Sequence, residues 1–282
     1  MYKFLKISLF VLICVLILAG CKKVVIAPST LNDIAYDVNK IFGYTIYIPE
    51  NGENIPYLVL TNNYNGDGNC LLLRKHLLDR AMVFHDYSID RPGVRPSYYE
   101  DSYIDNYLSS EFLSNLSSVS DIIINSKIVI TDNESISGTG NKSLIINRKI
   151  FLLSFTETDR SNSPNAVTEG VTLKCFKRPA VEIDIGFYNN TDYLSFRIAT
   201  FKDGDTHDYG WWLRTPQTWS ANAVWAVTRG GGGGSVGFLN TGEMDNGGVV
   251  LYGVRPAFCL PRDTSIIEVE LNGETMYMLD LE

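Results

Sequence analysis

The sequence contains little of the two residue types that build most metal and redox sites, histidine and cysteine. Among 282 residues there are three histidines and five cysteines. His76, His85 and His207 lack the close spacing of zinc ligands. This scarcity argues against a zinc enzyme and against a disulfide-rich secreted module.

The few cysteines are odd in number and lie far apart. Cys14 falls in the N-terminal apolar segment and Cys21 directly follows it, which leaves Cys70, Cys175 and Cys259. Three widely spaced cysteines do not make a disulfide framework. We expect buried free thiols, with a bridge between Cys175 and Cys259 as the alternative.

An excess of positive charge is also absent. The net charge is −8, and because the first twenty residues carry two lysines and no acid, the remainder carries −10. An acidic surface repels phosphate backbones, which excludes nucleic acid as a partner and argues against adsorption to anionic lipid. Hydrophobic residues make up 45% of the chain and aromatic residues 12%, so a globular core is expected.

The chain has one long apolar run, residues 7–18, which follows a short basic start and ends in Leu18-Ala19-Gly20-Cys21. This pattern resembles bacterial lipoprotein signals. The resemblance implies that residues 1–20 are a signal peptide and that Cys21 is diacylated after cleavage. It also implies export and anchoring by lipid to the outer face of the bacterial cell membrane. The alternative is an uncleaved membrane helix, for which the run is short against a span of about 20 residues.

Beyond the signal, the pattern alternates between short strands and a few helices. Helical spacing predicts a helix over 101–113, capped by Ser102, and a second short helix over 119–124. A C-terminal hairpin is predicted over 266–278, turning at Asn272-Gly273. Apolar runs bounded by Gly, Pro and Asn predict strands at 44–48, 57–60, 70–73, 128–130, 150–154 and 223–228.

This order of elements lacks the regular alternation of a parallel α/β fold. It predicts an α+β protein with antiparallel sheets, two or so helices and a single domain. We assign residues 21–39 to the lipidated N-terminus and a tether, and residues 40–282 to the domain with its C-terminal hairpin.

Two sequence blocks are distinctive, Tyr209-Gly210-Trp211-Trp212-Leu213-Arg214-Thr215-Pro216 and Gly253-Val254-Arg255-Pro256-Ala257-Phe258. Together they resemble an uncharacterised bacterial domain family, common in clostridia, that is marked by Trp-Trp-Leu-Arg-Ser-Pro and Val-Arg-Pro-Ala. Thr215 stands where that family has serine. The resemblance covers roughly residues 40–262.

The same region is similar, more distantly, to the C-type-lectin-like fold of formylglycine-generating enzymes and phage tropism proteins. Arg229-Gly230-Gly231 and Gly253-Val254-Arg255 stand at the places that match those proteins. The resemblance implies a C-type-lectin-like fold; a shared fold alone does not imply a shared activity. The enzymes use two neighbouring cysteines near the C-terminus, whereas here only Cys259 lies in that region.

The tryptophans and arginines of these blocks have a structural interpretation. In a strand, Trp211 and Leu213 face one side and Trp212 and Arg214 the other. A buried arginine can stack on an aromatic ring and bond backbone carbonyls. We therefore interpret the set as supports of the core edge, and it consists of Trp211, Trp212, Arg214, Arg229 and Arg255.

The predicted ligand surface lies between the blocks, in residues 217–251. Rigid aromatics and short polar groups set among glycines are typical of binding loops, because aromatic area is ordered at low entropic cost. In phage tropism proteins the corresponding stretch faces the ligand. Trp225 falls on a predicted strand, so the core is its alternative place. The candidate binding residues are Trp219, Asn222, Trp225, Asn240, Glu243, Asp245 and Asn246.

Three other motifs point to chemistry that we do not adopt. Residues 233–237 match G-x-S-x-G, yet no histidine follows His207 to complete a triad. Residues 63–68 resemble the start of a calcium loop, but Arg74 stands where the closing glutamate belongs, which favours a hairpin turn. Asp203, Asp205 and Asp208 form a weak candidate calcium site. We favour the alternative that they belong to a solvated acidic turn.

The sequence thus predicts a membrane-anchored surface lipoprotein with a non-catalytic recognition domain and no cofactor. Its expected ligand is a surface glycan, a peptidoglycan fragment or a protein. The alternatives are an exported enzyme on the same fold and a scaffold lipoprotein of a membrane complex. An exposed aromatic cluster favours recognition, a closed pocket that joins acids to a histidine favours the enzyme, and a large flat apolar patch favours the scaffold.

Overall fold

The computed structural model describes residues 27–38, 43–89, 91–138, 140–158, 164–177, 196–202, 209–228, 236–240, 251–271 and 273–281. As predicted, they form one domain of mixed α and β structure in which antiparallel sheets dominate. The strands are β1 (Thr45–Glu50), β2 (Glu53–Thr61), β3 (Asn69–Arg74), β4 (Ser126–Thr131), β5 (Ser143–Arg148), β6 (Ile150–Phe151), β7 (Trp211–Pro216), β8 (Ala223–Val227), β9 (Val236–Asn240), β10 (Ala257–Pro261), β11 (Ile266–Leu271) and β12 (Glu274–Leu279). The helices are α1 (Leu31–Ile34), α2 (Tyr103–Tyr107) and α3 (Leu113–Asn115), and a π-helical turn, Leu108–Phe112, joins α2 to α3.

A seven-stranded sheet forms the centre of the domain, in the order β11-β12-β1-β2-β3-β10-β6. Its neighbours are antiparallel except for β12 and β1, which run parallel. Consecutive residues are fully buried in the middle strands, Val59 and Leu60 in β2 and Leu71 and Leu72 in β3. Since consecutive side chains point to opposite faces, both faces of the sheet are covered there.

The two ends of the described chain are joined to each other. The N–H of Leu31 donates to the carbonyl of Thr264 (3.0 Å), and the N–H of Ile266 donates to that of Ser29 (3.0 Å). Leu31 and Ile34 of α1 are fully buried. The packed body therefore includes residues that we assigned to the tether before residue 40. The predicted C-terminal hairpin is confirmed as β11 and β12.

The predicted helix over 101–113 is confirmed as the stretch α2, π-turn and α3. The Ser102 hydroxyl accepts a hydrogen bond from the N–H of Asp105 (3.2 Å), as a cap at this position should. Ile104, Leu108 and Phe112 recur every four residues and are fully buried. One face of the stretch therefore packs on the core.

The second predicted helix, over 119–124, is wrong. Residues 116–122 form turns, and the carbonyl of Val119 accepts from both Ile122 and Ile123 in a single turn. The next residue, Ile124, donates its N–H to the carbonyl of Cys259 (2.9 Å). Pairing with β10 therefore extends the chain where a helix would have continued.

Two smaller sheets complete the fold, a ribbon of β4 and β5 and a sheet in the order β7-β8-β9. The strand predicted over 150–154 is shorter than expected, because β6 spans only Ile150–Phe151. Leu152 and Ser154 are buried without a strand partner and instead bond to side chains of the candidate site.

Candidate functional site

Strand β7 carries the first sequence block, and all six of its residues are buried. The indole N–H of Trp211 donates to the carbonyl of Arg197 (2.9 Å), and that of Trp212 donates to the carbonyl of Met82 (2.8 Å). Because the two rings point to opposite faces of the strand, both faces of β7 are covered. These tryptophans belong to the core.

Arg214, on the same strand, lies in a buried ion pair with Glu157. Its Nη1 and Nη2 atoms each lie 2.9 Å from a Glu157 oxygen, and both side chains are fully buried. Nε donates to the carbonyl of Val129 (3.0 Å) and Nη1 to that of Leu152 (2.6 Å). The planar donor fork thus joins β7 to β4 and to the chain after β6.

Every acceptor position of Glu157 is used. Oε1 also accepts from the hydroxyl of Tyr64 (2.7 Å), and Oε2 also accepts from the N–H of Ser154 (2.8 Å). Burial, with the Glu157 charge added to it, raises the pKa of Tyr64 well above its ordinary value, so the phenol stays a donor. With two donors on each oxygen, this carboxylate is a structural anchor with no oxygen open to a substrate.

A second buried carboxylate, Glu169, lies on the other side of Arg214. Its Oε1 accepts from the N–H and the hydroxyl of Thr131 (both 2.7 Å), and its Oε2 accepts from the hydroxyl of Thr215 (2.6 Å). Burial raises the pKa of Glu169, and Arg214, 3.6 Å away, acts in the opposite direction. Thr215 also accepts from the N–H of Phe155 (2.9 Å). A serine at this position would supply the same hydroxyl.

We call Arg214, Glu157 and Glu169 the buried charge cluster. Sequence reasoning singled out its arginine and missed both glutamates. A weak signal for Glu157 was available, because Thr156, Glu157 and Thr158 follow the buried apolar residues 150–153 with only Ser154 and Phe155 between them. For Glu169 the sequence offers no comparable signal.

Arg255, in the second block, is buried without an acidic partner among the described residues. Its Nε donates to the carbonyl of Arg74 (2.7 Å), and its Nη1 donates to that of Phe196. The guanidinium lies 5.3 Å from the ring centroid of Trp211. Burial lowers its pKa to about 9. Arg255 therefore makes the ring stacking and the carbonyl hydrogen bonds that the sequence analysis inferred. Arg229 lies outside the described residues.

The turn between β7 and β8 carries the one candidate aromatic that is widely exposed. Trp219 is 56% exposed. The turn is fixed from outside, because the N–H groups of Ser97 and Ser137 donate to the carbonyls of Ala221 (3.0 Å) and Thr218 (2.7 Å). A large aromatic side chain is therefore exposed to solvent on a backbone turn that two other parts of the chain hold in place.

The other candidate binding residues fall in different places. Asn222 is exposed in the same turn as Trp219. Trp225, in β8, is half-buried, and its ring centroid lies 4.0 Å from that of Phe155, so it serves the core in part. Asn240 ends β9, but its side chain lies outside the described set, as do Glu243, Asp245 and Asn246.

Of the two candidate calcium sites, only the one at residues 63–68 lies among the described residues. Asp203, Asp205 and Asp208 lie outside the described residues. Within the described ranges, no group of three or more His, Cys, Asp or Glu residues is arranged to hold a metal ion. In the loop that resembles a calcium site, the Asn63 side chain accepts from the N–H of Gly68 (2.8 Å) and Asn65 donates to the carbonyl of Lys127 (2.9 Å). These amides fix the hairpin turn.

Cys70, Cys175 and Cys259 are buried free thiols, so a bridge between Cys175 and Cys259 is the wrong alternative. Burial raises the pKa of Cys70 and of Cys259 to about 12. The predicted signal and Cys21 lie outside the described residues. Among the helices of the described part, none is both long and apolar enough to span a membrane.

Comparison with known proteins gives one match. The domain of unknown function DUF6273 matches residues 67–262, a range that contains both sequence blocks and the buried charge cluster. No curated protein and no solved structure matches the chain. Because the matched range spans more than two thirds of the sequence, the chain belongs to the DUF6273 family, an uncharacterised domain family.

Proposed function

We propose that this protein is a non-catalytic recognition domain of C-type-lectin-like architecture that binds a ligand through the β7–β8 turn. The ligand is a surface glycan, a peptidoglycan fragment or a protein. In this proposal a lipid on Cys21 holds the domain on the outer face of the bacterial cell membrane, and the sequence pattern of residues 1–21 supports that anchor.

The observation that carries the proposal is the exposure of Trp219 on a fixed turn. Apolar area in contact with water is unfavourable by about 25 cal/mol per Å², so covering an exposed indole with a ligand is favourable. The hydrogen bonds to Ala221 and Thr218 fix the turn before a ligand arrives. A prearranged aromatic loses little conformational entropy on binding, and the exposed amide of Asn222 offers an adaptable hydrogen-bonding group beside it.

The buried charge cluster supports a non-catalytic role. A general acid or base must reach a substrate proton. Glu157 and Glu169, the carboxylates that pair with Arg214, are fully buried, and protein donors occupy their oxygens. Their contacts stabilise β7, the strand that leads into the Trp219 turn.

The test is a glycan and cell-wall-fragment array probed with residues 22–282, with and without calcium. We expect binding that falls at least tenfold in Trp219→Ala, a loss of about 1.4 kcal/mol or more. The matched control is Ile267→Ala on β11, whose side chain is 44% exposed. It should bind like the wild type.

Binding that survives Trp219→Ala would contradict the placement of the site. Equal loss in both variants would show a general effect on the fold. Mass spectrometry of the recovered ligand separates recognition from the enzyme alternative, because a recognition domain returns its ligand unchanged.

A further inference from the structure

The strand β11 forms one outer edge of the seven-stranded sheet, with β12 as its strand neighbour among the described residues. Its register with β12 is continuous from Ile266 to Leu271. Natural proteins commonly protect such an edge with lysine, proline or a bulge. β11 contains neither residue, and no bulge interrupts its register. The strand is therefore a regular edge to which a further strand can add.

The hydrogen bonds at the start of β11 show which of its backbone groups point outward. The N–H of Asp280, which follows β12, donates to the carbonyl of Ser265 (3.0 Å), so Ser265 bonds inward. The N–H of Ile266 donates to the carbonyl of Ser29 (3.0 Å), on the opposite side. Inward and outward residues alternate along an antiparallel strand. Every second residue after Ile266 therefore points its backbone groups outward.

These outward residues are Glu268 and Glu270. The N–H and the carbonyl of each point away from β12, and no backbone or side-chain group of the described residues bonds to them. The two residues lie about 7 Å apart, the distance that two steps of a strand span. Beyond the contact with Ser29, the edge thus offers two donors and two acceptors at the spacing of a strand partner.

The side chains of β11 divide by chemistry between the two faces of the sheet. Glu268 and Glu270 lie on one face, and Ile267 and Val269 lie on the other. Ile267 is 44% exposed, Val269 is half-buried, and Met278, the neighbour of Ile267 on β12, is half-buried as well. A strand added to this edge therefore meets acidic side chains on one face and apolar side chains on the other.

The acidic face lacks a counter-charge in the part of the chain that the structure describes. Residues 265–282 contain five acidic side chains and no Lys, Arg or His. Neither Glu268 nor Glu270 forms an ion pair with a described residue, and Glu270 accepts only from the hydroxyl of Thr275 (2.7 Å). A second copy paired through this edge would place glutamates beside glutamates, which is destabilising. Charge complementarity instead favours a basic partner.

We propose that the β11 edge binds an extended segment of a partner protein in which basic and aliphatic residues alternate. The segment runs antiparallel to β11, and two of its residues exchange N–H···O bonds with Glu268 and Glu270. Because directly paired residues share a face, these two residues are the basic ones. Their aliphatic neighbours lie on the face of Ile267 and Val269. One alternating strand thus complements both faces of the edge.

The test is fluorescence polarisation of the full chain in detergent with labelled pentapeptides. In these peptides three valines alternate with two lysines, two serines or two glutamates. We expect the lysine peptide to bind about tenfold more tightly than the serine peptide, because two opposite-charge pairs across strands together supply about that factor. The glutamate peptide should bind more weakly than both.

Two altered lysine peptides separate strand pairing from simple charge attraction. A peptide of the same composition with its two lysines adjacent at one end should bind no better than the serine peptide, since it cannot match both faces. N-methylation of the two lysine nitrogens should abolish binding, because these nitrogens donate to β11 in the proposed pairing. N-methylation of the central valine, whose N–H points away from β11, should leave binding in place. Equal binding by all these peptides would contradict strand pairing.

Reversing the charge of the edge keeps the test independent of stability. The double variant Glu268→Lys with Glu270→Lys should prefer the glutamate peptide, whereas an unfolded chain would bind neither peptide. The matched control is Glu53→Lys, an exposed glutamate on β2, three strands away in the sheet, and it should keep the preference for lysine. Absence of binding by every peptide would overturn the proposal, as would a preference that the double variant leaves unchanged.

The same assay distinguishes this edge from the β7–β8 turn. Trp219→Ala should leave peptide binding intact, and loss of binding in that variant would assign the peptide to the turn. Light scattering tests a second copy as the occupant of the edge. A dimer that the double variant dissociates would give the edge to a second copy and contradict the proposal.

Discussion

Glu157→Gln is the most informative perturbation of the buried charge cluster. The change keeps the shape of the side chain and removes its charge. Arg214 is then left fully buried with Glu169 as its nearest carboxylate, 3.6 Å from Nε. The new amide also places a donor where the carboxylate accepts from Tyr64, Ser154 and Arg214.

The expected loss of unfolding free energy is large relative to the stability of a typical domain. Removing one partner of a buried ion pair destabilises a protein by about 3–5 kcal/mol. The free energy of unfolding of a whole domain is about 5–15 kcal/mol. With an m-value of about 3 kcal/mol per molar urea, the midpoint of unfolding should fall by at least about 1 M.

Urea unfolding followed by circular dichroism measures the shift. The matched control is Glu111→Gln, whose partner Arg80 lies 3.9 Å away, because both of these side chains are largely exposed. An exposed pair contributes about 0–1 kcal/mol, so the control midpoint should move by less than about 0.3 M. If the two variants shift the midpoint equally, the cluster does not anchor β7 and the argument from burial is wrong.

The remaining predictions concern a cap, two glycines and the thiols. Ser102→Ala removes the hydrogen bond that begins α2 and should cost about 1 kcal/mol of unfolding free energy in the same assay; no change would refute the cap. Gly170→Ala should lower the free energy of unfolding more than Gly273→Ala does. Both glycines have a positive φ, but an added Cβ meets a buried carboxylate only at Gly170. Equal losses, near the roughly 1–2 kcal/mol of backbone strain alone, would contradict the close approach of Gly170 to Glu157. A thiol reagent at pH 8 should label Cys70 and Cys259 only after unfolding, since burial raises the pKa of each to about 12 and the reactive thiolate forms only as the pH rises toward that value; rapid labelling of the folded chain would refute their burial.

Local pattern was sufficient to predict much of the fold. The apolar runs that became β1, β2 and β3 are bounded by turn residues; burial alternates along β1, whereas β2 and β3 are buried over consecutive residues because both of their faces are covered. The cap at Ser102 was also readable, because one side chain and the three residues after it determine the hydrogen bond. The failed helix over 119–124 shows the limit, since residues four apart reach the core from a single turn as well as from a helix.

Contacts between distant parts of the chain were beyond the sequence. Glu157 and Arg214 are 57 positions apart, and a glutamate in a polar run is ordinarily a surface residue. The four tryptophans illustrate the same point, because composition cannot separate the buried Trp211 from the exposed Trp219. Only the packing of the layers around β7 distinguishes a core tryptophan from one in a turn.

The most direct test of the recognition proposal is an NMR titration of the chain labelled with ¹⁵N at its four tryptophans, using a peptidoglycan digest and a glycan mixture as probes. The indole N–H groups of Trp211 and Trp212 are bonded to carbonyls inside the core, so they are internal references. The account predicts that the Trp219 signal shifts with added ligand while the signals of the two core tryptophans stay in place. A Trp219 signal that no probe moves, or a shift that appears first at the core tryptophans, would contradict a ligand site at the β7–β8 turn.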